Sequence, residues 1–102
     1  VGPRAEVVLE GEIDIHDADR LRTLFAACSD GTPVLVDLSR VTYLDSTALN
    51  ELARLRRRCD DVALVVTSPQ IERILEIVGF TDTFRLVRDR AELQPMRKPN
   101  AR

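Results

Sequence analysis

Apolar and polar positions alternate along the chain with a period that switches several times. Val7-Val8-Leu9, followed by Gly11 and Ile13, predicts a β-strand over 5–13. From Asp17 the spacing changes. Ala18, Leu21, Leu24, Phe25 and Cys28 share one face of a helix, with Asp17 as its expected N-cap and Asp30-Gly31 as the turn that ends it. Val34-Leu35-Val36-Asp37-Leu38 is a short, nearly continuous apolar run, the pattern of a strand covered on both faces. A loop over 39–43 is expected next, leading into Leu44-Asp45-Ser46-Thr47-Ala48-Leu49 and a second helix. That helix presents Leu49, Leu52 and Ala53 on one side, with Leu55 and Cys59 nearby, until Asp60-Asp61 break it.

Val62 to Thr67 reads as another buried strand. Ser68-Pro69 then gives a hydroxyl at an N-cap and proline at the first helical position. Ile71, Ile74, Leu75 and Val78 form the inward stripe of this third helix, and Gly79 closes it where a left-handed residue is wanted. A last strand is expected over 84–87 and a final helical turn over Arg90 to Gln94. Strand and helix alternate throughout, so the prediction is an α/β fold with a mainly parallel sheet and right-handed crossovers.

Composition narrows the function classes. The chain has 102 residues, room for one core and no second domain. No apolar run is longer than the five residues of Val62 to Val66, far short of the roughly 20 residues of a membrane span. No apolar segment follows Val1-Gly2-Pro3-Arg4, so no cleavable signal is read there. With 15 basic and 17 acidic residues, the charge is not that of a nucleic-acid binder. Four scattered glycines supply no phosphate-binding loop. One histidine and two cysteines are too few ligands for zinc, so no metal or cofactor is expected. Cys28 and Cys59 read as reduced, buried thiols. They qualify as a redox pair only if their helices lie side by side with Cα atoms within about 7 Å.

Catalytic chemistry is sparse. Ser46 and His16 invite comparison with a hydrolase, but Ser46 has no nucleophile elbow and His16 sits among acids in a loop. Arg54, Arg56, Arg57 and Arg58 read as the solvated C-terminal end of a helix, where cations are favourable. The segment that stands out is Asp45-Ser46-Thr47 at a helix start. One of these residues suffices as the N-cap, which leaves a hydroxyl free. Phosphorylation there adds about −1.5 to −2 charges that the helix dipole tolerates and a partner surface does not. Asp14 ends the first strand and Asp45-Ser46 follow the second. Both are expected at one edge of a parallel sheet.

Three stretches resemble the STAS domain family, and within it the bacterial anti-sigma-factor antagonists. They are Gly11-Glu12-Ile13-Asp14 with Ala18 and Leu21, then Asp37-Leu38-Ser39 through Asp45-Ser46-Thr47-Ala48-Leu49, and then Pro69 through Ile74-Leu75 with Gly79-Phe80 and Phe84. The resemblance implies a sheet of four to five strands packed by three to four helices, and no enzyme activity. It implies a cytoplasmic protein that, unphosphorylated, binds an anti-sigma factor that is also a serine kinase, and so frees a sigma factor. Phosphorylation falls on Ser46, with Thr47 as the alternative, and a serine phosphatase reverses it. ATP and magnesium belong to the kinase. The expected partner-binding residues are Asp14, Asp45, Ser46, Thr47, Leu49 and Asn50.

Two departures from the family pattern stand out. Ala48 replaces the signature glycine, where a methyl group narrows the approach of a partner. Only four residues precede Ala5, where the family usually has a further strand. Residues 1–95 are thus read as one STAS domain that is trimmed, excised from a longer protein or missing that strand, and 96–102 as a flexible tail. The same fold also serves as a regulatory subunit of transporters, such as lipid-transport ABC systems, where it binds without phosphorylation.

Overall fold

A computed structural model describes residues 5–28 and 31–89. β1 (Ala5–Ile13) passes through a 3-10 turn (Ile15–Asp17) into α1 (Ala18–Ala26). β2 (Val34–Leu44), α2 (Ser46–Arg58), β3 (Val62–Val65), α3 (Pro69–Ile77) and β4 (Arg85–Val87) follow. The four strands form one sheet in the order β1-β2-β3-β4, each pair parallel. Strands that neighbour in sequence neighbour in space, so right-handed crossovers put all three helices on one face. There Leu21 and Phe25 of α1, Leu52 and Leu55 of α2, and Ile71 and Leu75 of α3 join Val34, Val36, Leu38 and Leu64 in one core. Leu35, Ala63, Val65 and Val87 point to the opposite face and form a second buried cluster. Burial on both faces is why β2 and β3 begin as unbroken apolar runs.

The fold class read from the sequence is the one observed, with local corrections. Residues 39–43 are not a loop. They continue β2 to Leu44 and pair with β1 as far as Ile13↔Leu44. β3 pairs only with Val34–Asp37, so the second half of β2 has one neighbour and carries polar Ser39, Arg40 and Thr42 outward. That polarity is what imitates a loop. The register shifts twice in this half, between Val8 and Glu10 and between Gly11 and Glu12. Gly11 takes φ 76° at the second shift, a conformation that disfavours any side chain.

Asp17 stands at the N-cap position of α1 as expected, but it does not act as a side-chain cap there. Its backbone is already helical, and its side chain makes no capping bond to α1. The 3-10 turn moves the capping role back to Asp14. Ser68 caps α3 as expected and Gly79 follows it with φ 81°. Val78 is 43% exposed, not inward, because α3 has ended at Ile77. Leu24 is likewise at the surface. The predicted turn over Arg90 to Gln94, Asp30 and the tail 96–102 lie outside the described residues. No helix among the described residues is long and apolar enough to cross a membrane.

Candidate functional site

The ends of β1 and β2 meet at one edge of the sheet. Ile13 pairs with Leu44, and the Asp45 N–H donates to the Ile13 carbonyl at 3.1 Å. Asp14 and Asp45 therefore start adjacent turns at the carboxyl edge of a parallel sheet, where such folds gather their sites. The 3-10 turn also packs against α2. Asp14 Oδ1 accepts from the His16 N–H at 2.9 Å, while the Asp14 N–H donates to Asp17 Oδ2 at 3.0 Å. That backbone donor, with the Arg20 guanidinium beside it, holds the Asp17 carboxyl below its ordinary range. His16 lies at the surface with Nδ1 3.3 Å from Asp14 Oδ1.

Asp45 is extended and is the N-cap of α2; its Oδ1 accepts from the Ala48 N–H at 3.0 Å. This satisfies one orphan donor of the first turn without help from the hydroxyls that follow. Ser46 is the first helical residue and is exposed. Thr47 and Leu49 are half-buried, Leu49 against the core, and Asn50 is exposed. Ala48 is 1% exposed and packs into the core. Its methyl group packs inward among core side chains and is not presented at the surface. Asp45→Ala is expected to cost about 1 kcal/mol of stability through the lost cap. Urea unfolding measures this, and an unchanged midpoint would mean that the cap contributes nothing.

Three features escaped the sequence reading. Ile15 in the 3-10 turn is 65% exposed and Tyr43 is 50% exposed, so two large apolar side chains flank the Asp14–Asp45 edge. Tyr43 lines an apolar concavity of about 550 Å³ with Pro69 and Ile74. Their signal was available, since each stands beside a polar turn residue outside the helical stripes. The third feature is Glu51. It is buried within the α2 stripe and paired with Arg22 of α1 at 3.0 Å. Its position three residues after Ala48 and four before Leu55 marks it as inward-facing.

The arginine cluster is only partly solvated. Arg56 donates to the Thr83 carbonyl at 2.6 Å and to the Cys59 carbonyl at 3.1 Å, and Arg58 donates to the Phe25 carbonyl. Both bonds to other elements tie the end of α2 to its neighbours. Cys28 and Cys59 are buried free thiols. Burial pushes the Cys28 thiol up, and Cys59 adds to the shift while Arg58 opposes it. A thiol so placed carries little thiolate at neutral pH, which disfavours exchange chemistry. No group of metal-ligating side chains occurs among the described residues.

The chain as a whole is similar to known proteins. The STAS domain family model matches residues 5–93. An anti-sigma-B factor antagonist from Listeria monocytogenes is 28% identical over 87 residues, covering 79% of this chain and 76% of that protein. The crystal structure of an anti-sigma factor antagonist from Mycobacterium paratuberculosis superposes with a TM-score of 0.78 at 25% identity, covering 91% of this chain and 85% of that one. The phosphorylated form of the Bacillus cell fate determinant SpoIIAA shares the fold, with a TM-score of 0.65 at 17% identity over 95% of this chain and 96% of that one.

Proposed function

The chain belongs to the STAS domain family, and from that premise we propose that it is a cytoplasmic anti-sigma-factor antagonist switched by phosphorylation of Ser46. The observation that carries this reading is the exposed Ser46 hydroxyl at the head of α2, left free because Asp45 makes the cap. In the unmodified state, the surface around Ser46 binds an anti-sigma factor and displaces a sigma factor from it. Asp14, Asp45, Thr47 and Asn50 supply its polar part, and Ile15, Tyr43 and the exposed edge of Leu49 supply apolar contact.

The kinase activity resides in the partner. Ser46 Oγ takes the γ-phosphoryl group of ATP, the β–γ bond breaks, ADP leaves and the hydroxyl proton is released. The product carries about −1.5 to −2 charges beside the first-turn N–H groups, which tolerate an anion without unfolding. A partner that closes over this spot must desolvate that charge, and it dissociates. A serine phosphatase restores the hydroxyl. In this scheme the chain supplies an acceptor and a surface, and its own residues perform no catalysis.

The test is incubation with the cognate anti-sigma kinase, ATP and magnesium, followed by mass-spectrometric mapping. Phosphate is expected on Ser46, with Thr47 as a minor acceptor. Modification at neither position overturns the switch. Stable co-purification with an ABC-transporter ATPase instead of an anti-sigma factor would replace the reading by a transporter-regulating one.

A further inference from the structure

Every described arginine except two holds a carboxylate or carbonyl oxygen of its own chain. Arg20 pairs with Asp17, Arg22 with Glu51, Arg40 with Glu10, Arg73 with Glu76, Arg85 with Asp61 and Arg88 with Glu72. Arg56 and Arg58 hold backbone carbonyls. Arg54 and Arg57 are exposed, and among the described residues they have neither a hydrogen bond nor an ion pair.

These two residues are not scattered. Thr47, Asn50, Arg54 and Arg57 follow one another at spacings of three and four and form a single stripe down α2. The stripe is about 15 Å long at a rise of 1.5 Å per residue. It borders two open concavities between α1 and α2, of about 330 and 380 Å³, which share Arg22, Glu51, Arg54 and Arg57. Glu51 lies beneath, 5% exposed in its side chain, with its charge taken up by Arg22. It therefore offers little compensation to the two outer cations. The result is a local positive surface on a chain whose net charge is −2.

We infer that this groove receives an acidic segment of the anti-sigma factor, so that the partner covers α2 from Ser46 to Arg57. The inference rests on the proposed function and adds the chemistry of the partner's contact. A single small anion would leave most of a 15 Å stripe unused. A nucleic acid would meet only two unpaired cations beside the carboxylates of Asp14, Asp45 and Asp19. Acidic side chains on the partner fit Arg54 and Arg57, and neutral or basic ones fit the end beside Thr47, Asn50 and Asp45, so a segment with its acidic residues toward the C-terminal end of α2 matches both the length and the sign. With Asp14 and Asp45 at one end and Arg54 and Arg57 at the other, the face is polarised, and complementary charge fixes the partner's direction along α2.

The test measures affinity and association rate of the full chain for its cognate anti-sigma factor at several salt concentrations. Four proteins are compared: wild type, Ser46→Asp, Arg54→Glu/Arg57→Glu, and Arg85→Glu/Arg88→Glu as an equal charge change at the β4 end of the sheet, away from both the groove and Tyr43. Circular dichroism verifies the fold of each. The groove variant is expected to bind about tenfold more weakly, mainly through slower association and with a flatter salt dependence. The control should stay within about twofold of wild type. If Ser46→Asp impairs binding and the groove variant behaves like the control, the groove inference is overturned and the proposed function stands. Failure of the wild type to bind ends both. Arginine-dependent binding of a DNA duplex in place of the protein overturns the inference by changing the class of partner.

Discussion

Ser46→Asp is expected to weaken binding to the anti-sigma factor by at least about 100-fold, a change of ~2.7 kcal/mol. It should leave the fold and its stability almost unchanged. The separation of the two effects follows from geometry. Ser46 is exposed at the first position of α2, and the capping bond is made by Asp45 Oδ1 to the Ala48 N–H. A carboxylate at position 46 therefore displaces no hydrogen bond, and the positive end of the helix favours it by about 0.3–1 kcal/mol. The partner meets a new charge, which it must strip of water or oppose with a cation. Ser46→Ala makes the complementary case, with binding retained and phosphorylation lost. Calorimetric titration reads the affinity and thermal unfolding reads the stability. Because one carboxylate under-represents a dianion, the enzymatically phosphorylated protein is measured beside the mimic. Wild-type affinity in both forms would sink the switch. A large drop in melting temperature would instead mean that the hydroxyl holds the helix start together.

The sequence was most legible where periodicity and punctuation agree. Ser68-Pro69 and Gly79 bracket α3 closely, and the apolar runs from Val34 and Val62 become the central strands. It was least legible where tertiary context changes what a residue means. Ser39, Arg40, Thr42 and Tyr43 are polar or exposed, yet they lie in β2, because Arg40 and Tyr43 pair with β1 while Ser39 and Thr42 sit at the two register shifts between paired residues. Asp17 has the local look of a cap, but the 3-10 turn before α1 gives that task to Asp14, and no propensity records such a turn. The edge that unites Asp14 with Asp45 was foreseeable from topology alone, since strands of one parallel sheet end on the same side. The basic groove was not. Composition spreads four arginines around α2, and only the packed helices show which of them are engaged by neighbouring carbonyls and which remain available.

Leu52→Ala is expected, with truncation of the equally buried Leu55, to be among the most damaging truncations of the helix that carries Ser46, lowering stability by about 3 kcal/mol. Leu52 is 1% exposed and sits among buried side chains of the main core, on the side of α2 opposite to solvent. Removing its isobutyl group sacrifices the transfer free energy of those carbons and leaves a cavity that the rigid strands beneath cannot close. A domain of this size has a total stability of about 5–15 kcal/mol, so the loss is a substantial fraction of the whole. Leu49, one turn earlier and half-buried, calibrates the claim. Its truncation should cost about 1 kcal/mol, since much of the side chain already touches water. Urea unfolding of both variants gives the two values with the same slope. Equal losses at 49 and 52 would contradict the packing of α2 described above. The expected inequality would place the face of α2 that bears Leu52 in the core and leave Ser46, Asn50, Arg54 and Arg57 for a partner.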